Sequence, residues 1–409
     1  MSAFDLTAAD AALKEYYDGG AVINMGYQDN AFHSMVPKFT KSQGKREPIP
    51  IIYGSPQGRS SSFTRAKANK TPSKIEDFLI TRAKDYGLAD MDIETIMAGT
   101  GGEGSWFPLL TFEIDQTIYS LSRSLAVKEY RNGSGEIGQI GSISTTTITL
   151  ADPEAATNFE VGMVLNASTA AGGGTVKQNS GADGRATVTK VNRIDGTVEL
   201  ATDPTAYTTA WAANDYLFVD GDYDSAIKGL EAWMPASAPS SGESFFGVDR
   251  SVDSRLAGLR HNGVGQPIEE ALIDAVKIGL REGGNIDMGF MPYDKYGDLE
   301  KELGSKVQYI QNQVTAEISW QGIIMKHSKG KFQVIADQNC IADTAFLLTT
   351  KYRGQDIWQL RSIGDAVHIQ KPDGLRILRV SDADSVEVRT AYYAQLSCRA
   401  PGFSVRVAL

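Results

Sequence analysis

The chain has 409 residues, a net charge of −10 and 42% apolar residues, which allows two or three domains with proper cores. No run approaches the roughly 18–20 apolar residues that a membrane-crossing helix needs, and the acidic total argues against a surface given over to nucleic acid or anionic membrane. Cys340 and Cys398 form no C-x-x-C pair and no metal-ligand spacing, so buried thiols in a reducing compartment are expected.

The N-terminus, MSAFDLTAADAALKEYYDGG, lacks a basic stretch followed by an apolar core, so no secretory signal is expected. Residues 8–17 predict a short amphipathic helix, and the irregular segment to Val36-Pro37 predicts an arm that must lie on something else. Residues 38–74 then carry nine basic side chains, Lys38, Lys41, Lys45, Arg46, Arg59, Arg65, Lys67, Lys70 and Lys74, against the single acid Glu47, a net +8. Strand-like runs at 49–53 and 61–67 around Gly54-Ser-Pro-Gln-Gly58 predict a long β-hairpin. It has too little apolar alternation to be stable alone.

Residues 75–97 have strand character in parts, with some helix ambiguity, and Gly-rich 99–104 follows. A helix is expected from Pro108 to about Arg131, ended by Asn132-Gly133. Its stripe is Ile114, Ile118, Leu121 and Leu125, and about 23 residues give a rod of about 35 Å. Residues 136–221 change to Thr, Ala, Gly and Val and predict an inserted all-β module, with Asp195-Gly196 as a hairpin turn. Helical periodicity returns at 267–282 and 292–303. Strands are expected at 321–326, 331–336, 345–350 and 366–370, and 375–409 reads as almost continuous β-structure.

Motifs that suggest chemistry have plainer readings. Gly99-Thr-Gly101-Gly-Glu-Gly104 fits G-x-G-x-x-G, but no βαβ unit closes around it and no acid ends a second strand, so a hinge is expected. Asp220, Asp222, Asp224 and Glu231 have the spacing of a calcium loop, but Ser225 stands at the glycine position and the entering segment is strand-like, so an acidic turn is expected. Asp90, Asp92 and Glu94 alternate with Met91 and Ile93, as on a solvated or interface strand face. His33, His261, His327 and His368 are isolated, and there is no nucleophile elbow and no P-loop. The expectation is no enzyme, no cofactor and no metal. Asp249, Arg250, Asp253 and Arg255 lie close together in one loop, placed either to pair with a neighbouring chain or to pair locally.

The order of elements, together with IPIIYGSPQGRSSSFTRAKANK, FEIDQTIYSLSRSLAVKEY followed by RNGSGEIG, NDYLFVDGDYDSAIKGLEAWMP, GVDRSVDSRLAGLR, PIEEALIDAVKIGLREGG, MPYDKYGDLEKELG and YYAQLSCRAPGFSV, resembles the major capsid protein of tailed double-stranded-DNA bacteriophages over nearly the whole chain. The resemblance implies an α+β fold: an N-terminal arm (1–40), an extended loop (41–75), a peripheral domain with a spine helix (76–135), the inserted β module (136–221), an axial domain with part of the peripheral domain (222–374), and a return to peripheral strands (375–409).

The function so implied is a structural shell protein of the virion. It would be assembled in the bacterial cytoplasm into hexamers and pentamers around the genome. Its partners would be itself, with portal, scaffolding and decoration proteins. Weak, sequence-independent contact with packaged DNA is expected from Lys14, Lys38, Arg123, Lys128 and Arg131. Arg46, Arg59, Arg65, Lys67, Lys70, Asp249, Arg250, Asp253 and Arg255 are the expected inter-subunit contacts, because a +8 arm against an acidic body gives electrostatic complementarity. Some relatives cross-link a loop lysine to a neighbour; Lys67, Lys70 and Lys74 match no such motif, so no cross-link is expected. No N-terminal scaffold domain is expected, since the arm starts almost at Met1. The rival readings are a nucleic-acid-binding protein using 38–74 as a basic arm, an adhesin built on 136–221, and an enzyme built on Gly99–Gly104.

Overall fold

The computed structural model describes residues 30–98, 109–303, 322–364, 367–370, 378–379 and 384–409. The helix expected at 8–17, the glycine-rich motif at 99–104 and Lys14 lie outside the described residues. The backbone of the fold is the helix Leu109–Lys128 lying against the strand Ala83–Asp92. That strand runs antiparallel to Ser385–Cys398, paired residue by residue from Ala83↔Ala394 to Asp92↔Ser385. Trp358–Ser362 continues the sheet, and Lys38–Phe39 joins it in parallel. Of the apolar stripe on the helix, Leu121 and Leu125 are buried while Ile114 and Ile118 are only half-buried. The helix is therefore anchored at its C-terminal end.

The core over this sheet collects chain from the arm, the loop root, the end of the long helix and the chain that follows the inserted module. Trp233 is its hub. Its ring lies 5.1 Å from Phe78, 5.0 Å from Phe245 and 6.4 Å from Trp358, and its indole N–H donates to Leu396 O at 3.1 Å. The short helix Ala31–Met35 brings in Phe32, which packs against Tyr130 and Phe290 at 5.3 Å from each. A second sheet is mixed, in the order Leu259–Asn262, Val405–Ala408, Thr344–Leu348, Met288–Met291, Gly330–Ala336, Ile323–His327. The helices Ile268–Arg281 and Tyr293–Leu303 cover it through Ala271, Leu272, Ala275, Val276 and Leu299, all fully buried. This is the periodicity read from the sequence, resolved into helix-on-sheet packing.

The inserted module is a closed barrel of six antiparallel strands, Glu136–Ser144, Thr147–Leu150, Val164–Ser168, Ala186–Asn192, Thr197–Leu200 and Tyr216–Val219. Closure removes the free edges that a six-stranded sheet would expose. Its core is its own, built on Ile140, Ile148, Phe159, Leu165, Val198 and Leu217. It leaves and rejoins the body through a zipped stalk. Gly229 N–H donates to Arg131 O, Leu230 N–H to Glu129 O and Asp224 N–H to Ser134 O, at 2.7–2.9 Å. The two chains approach so closely that a Cβ on Gly229 would sit 2.2 Å from Glu129 O, and one on Gly135 (φ +88) 2.5 Å from Asp222 O. Both positions require glycine.

The hairpin differs from its sequence reading. Its strands are Glu47–Gly54 and Lys74–Ile80, and the run read as a second strand at 61–67 is a helix, Phe63–Ala68, at the tip. Arg, Ala and Lys are good helix formers, and no partner strand competes for them there. The return strand is set by Phe78 and Ile80, which face the same core as Ile49 and Ile51. The root of the loop is thus buried on its own subunit.

Because Gly138 and Leu217 are cross-strand partners, residues 139–216 can be replaced by a two-residue Gly-containing turn. We expect the remaining chain to keep one cooperative thermal transition, read by far-ultraviolet circular dichroism. A broad, non-cooperative melt would show that the barrel is part of the main core.

Candidate assembly surface

From Gly54 to Lys74 the loop carries Arg59, Arg65, Lys67, Lys70 and Lys74 and no acid, a net +5. The tip helix buries no residue at all, and Phe63 is 85% exposed. Ile52 and Ile75 are cross-strand partners on the outer face, and both are exposed. Large apolar side chains left in water on a cationic loop are what a contact surface would cover. Pro48 and Pro50 occupy alternate positions on the free edge of the first strand, where they remove N–H donors and blunt strand addition. The surface therefore offers side chains and not a backbone edge.

The root is locked by the one acid of the segment. Glu47 accepts from Arg361 at 2.5 Å, from Gln43 N–H at 3.0 Å and from the Ser42 hydroxyl, which also accepts from Arg82 at 3.0 Å. Burial opposes ionisation of Glu47, but the hydrogen bonds from Ser42 and Arg361 outweigh it and hold the carboxyl below its usual range. Arg255 donates to Tyr53 O and holds the outer part of the first strand to the body.

Of the expected contact residues, Arg46, Arg59, Arg65, Lys67 and Lys70 are exposed. Arg250 is not a surface residue. Its guanidinium is buried, donates to Ala232 O at 2.6 Å and to Glu243 at 3.2 Å, and stacks 3.8 Å over the Phe245 ring. Asp249 accepts from Gly242 and Ser251 N–H, and Asp253 accepts from Arg255 at 3.0 Å. These residues order their own turns, as local Asx bonding does.

The expected DNA-facing basic residues of the long helix are also committed inward. Arg123 is buried and donates to Thr157 O in the barrel, Arg131 pairs with Glu136 at 3.7 Å, and Lys128 is 3% exposed. Only Lys38, of those described, is open to solvent. The helix ends inside the core, so its last-turn cations have no outer face to occupy.

Lys128 is the connection that sequence reasoning missed. Its ammonium donates at 2.7 Å both to Asp85 on the long strand and to Asp222 on the barrel stalk. Burial opposes its charge, but Tyr392, Asp85 and Asp222 outweigh that and push it above the usual lysine range. Asp222 is pushed up, first by burial and then by Asp85, with Lys128 opposing. The signal in the sequence was a lysine set in the apolar run LAVKEY. The four acids of the calcium-like spacing go to separate partners: Asp220 to Asn166 and Arg185, Asp222 to Lys128, Asp224 to Gly173 N–H, and Glu231 to Arg406.

Beside this triad the long strand, the long helix and the barrel enclose a cleft of about 560 Å³. A third fixed point is the arm. His33 Nδ1 lies 2.9 Å from Glu129, and Asp337 accepts from Phe32 N–H at 3.0 Å and the Tyr130 hydroxyl at 2.9 Å.

No family model matches the chain, and no curated protein matches it in sequence. In structure it is similar to the capsid asymmetric unit of cyanophage A-1(L), with a TM-score of 0.56 at 11% identity, covering 97% of this chain and 96% of that one. It is also similar to the SrpI encapsulin of Synechococcus elongatus PCC 7942 in its holo complex, with a TM-score of 0.50 at 6% identity, covering 100% and 96%. The chain has the tailed-phage major capsid protein fold, α+β, with an inserted all-β module.

Removing the cation from the triad leaves two half-buried carboxylates facing each other. Lys128→Met is expected to cost about 3–5 kcal/mol of unfolding free energy, whereas Asp222→Asn, which leaves the Lys128–Asp85 pair, is expected to cost no more than about 1 kcal/mol. Urea titrations of the two variants check the difference.

His33 is held above its ordinary value of 6.5 by Glu129, against its own burial, with Lys38 lowering and Asp337 raising it. The folded state thus favours imidazolium. Its contribution is complete below the unfolded value and is lost as pH rises through the raised folded value. The stability gap between the wild type and His33→Gln should be larger at about pH 6 than at about pH 9. An equal gap at both would remove Glu129 as the cause.

Proposed function

We propose that the chain is the structural major capsid protein of a tailed bacteriophage. It self-assembles into hexamers and pentamers of an icosahedral shell that encloses double-stranded DNA in the virion. One observation carries the reading: on a shell-protein fold, residues 54–74 form a cationic tip with an exposed Phe63 and a helix that buries nothing on its own subunit. A segment that costs backbone entropy to order and returns no burial within its subunit gains that burial from another copy. The contact joins two different surfaces, and such heterologous contacts close into rings and shells.

The expected contact set is narrowed to the tip, with Arg59, Arg65, Lys67 and Lys70 as its charges and Arg46 at its base. The division at 41–75 and 136–221 stands as our domain proposal. Portal, scaffolding and decoration proteins are the further partners of this reading, and DNA contact is weak and independent of sequence. A free nucleic-acid arm is the poorer reading, because the tip offers Phe63 as its exposed aromatic among serines and glycines.

Deletion of residues 56–72 should leave a soluble chain with the wild-type melting transition and no particles in negative-stain microscopy. Normal particles from the deletion would overturn the role of the tip. Wild-type particles that never protect DNA from nuclease would overturn the genome-container part and leave the shell part standing.

A further inference from the structure

Three arginines from separate elements converge on the short helix Leu230–Trp233. Arg250 donates at 2.6 Å to Ala232 O, and Arg406 donates at 3.0 Å to Glu231, the residue before it. Arg260 stands beside Arg406, because Leu259–Asn262 and Val405–Ala408 are parallel neighbours with Arg260↔Arg406 in register. Leu259, Val405 and Val407 belong to the core under the two covering helices. Arg260 and Arg406 alternate with them and so share the opposite face of that sheet, where Arg406 lies 5.7 Å from the centre of the Phe346 ring. Arg250 is 3% and Arg406 9% exposed, while Arg260 is half-buried on the edge strand. A further cation, Lys228, lies 5.0 Å from the centre of the Phe245 ring on which Arg250 stacks.

The acids at this point do not balance the cations. Glu231 is taken by Arg406 and Glu243 by Arg250, and among the described residues no carboxylate pairs with Arg260. Arg250, Arg260, Arg406 and Lys228 against Glu231 and Glu243 leave a net +2. Burial pushes Arg260 below the ordinary arginine range. Burial, with Arg260 adding to it, does the same to Arg250 against the pull of Glu243. Arg250 Nε and Arg260 Nη1 are buried and meet no acceptor among the described residues. Like charges side by side on neighbouring strands are destabilising, and a buried donor of a charged group left unpaired is costly. An oxyanion removes both costs at once.

We propose that Arg260, Arg250 and Arg406 form the receptor for a phosphate-class dianion, with Lys228 supplying further positive charge beside Phe245. Guanidinium forks match the spacing of phosphate oxygens and donate in pairs. A dianion also matches the +2 excess, which a single carboxylate does not. Bound there, it ties the edge of the second sheet to the turn Arg250–Val252 and to the short helix, and so to the core around Trp233. The site lies within one subunit and stands independently of the shell reading.

The test titrates inorganic phosphate into the full chain by calorimetry, at ionic strength held constant with chloride. The solution is kept at about pH 8, where a phosphate group carries close to two charges. The expected result is saturable binding of one phosphate per chain, weakened about tenfold to a hundredfold by Arg260→Gln. Melting temperatures supply a second readout. In chloride Arg260→Gln should melt at or above the wild type, because it removes a like charge, and in phosphate the order should reverse. A variant that melts lower by the same amount in both salts marks Arg260 as a structural residue and overturns the proposal. No saturable binding by the wild type, or equal binding by the variant, overturns it too. Acetate that displaces phosphate at equal concentration overturns the assignment of a dianion. Should Arg260→Gln not fold, Arg260→Lys, which keeps the charge and loses the fork, is read in the same titration: weaker phosphate binding supports the receptor and unchanged binding overturns it.

Discussion

One buried ammonium holds three parts of the molecule in register. Lys128 ends the long helix, Asp85 opens the long strand and Asp222 closes the barrel stalk, and the 2.7 Å contacts to both carboxylates fix all three at a point. A charge taken out of water is tolerated only with close partners, so these elements cannot slide independently without exposing the cost. The stalk hydrogen bonds from Gly229, Leu230 and Asp224 zip the chain next to it. Lys128, Asp85 and Asp222 also line the cleft between the strand, the helix and the barrel.

The loop illustrates the opposite arrangement. Its root is over-determined: Ile49, Ile51, Phe78 and Ile80 sit in the main core, Glu47 grips Arg361, and Arg255 holds Tyr53. Its tip is under-determined, with like charges and exposed apolar groups. A rigid root with an unsatisfied tip presents a preorganised surface to a partner, which lowers the ordering cost of association. The prolines on the free edge direct that association to side chains and away from edge-to-edge pairing, which otherwise leads to aggregation.

Local sequence signals were enough where one element faces one environment. The stripe ending in Leu121 and Leu125, the helix Ile268–Arg281 and the Thr-rich strands of the barrel each carry a single period against a single core, and the structure has them where the periods lie. The tip was harder. Phe63 and Thr64 suggest a strand, Ala66 and Ala68 suggest a helix, and nothing packs on them to arbitrate, so helix propensity decided the outcome. Asp249, Arg250, Asp253 and Arg255 read as surface charge. Arg250 is buried because Ala232 O and the ring of Phe245, neighbours in space, complete its environment.

By itself the sequence determined where the main helices and the inserted β module lie and the charge contrast between loop and body, because composition, periodicity and net charge are properties of contiguous chain; the class of fold was implied by the resemblance that the order of elements carries. Only the tertiary structure decided which cations face outward. Arg123 and Lys128 belong to the long helix and Arg131 follows its end, yet each finds a different partner inside the molecule, and those partners lie from 5 to 94 residues away. Burial and pairing at that range depend on how the helix end, the strand and the stalk converge, which no local pattern encodes.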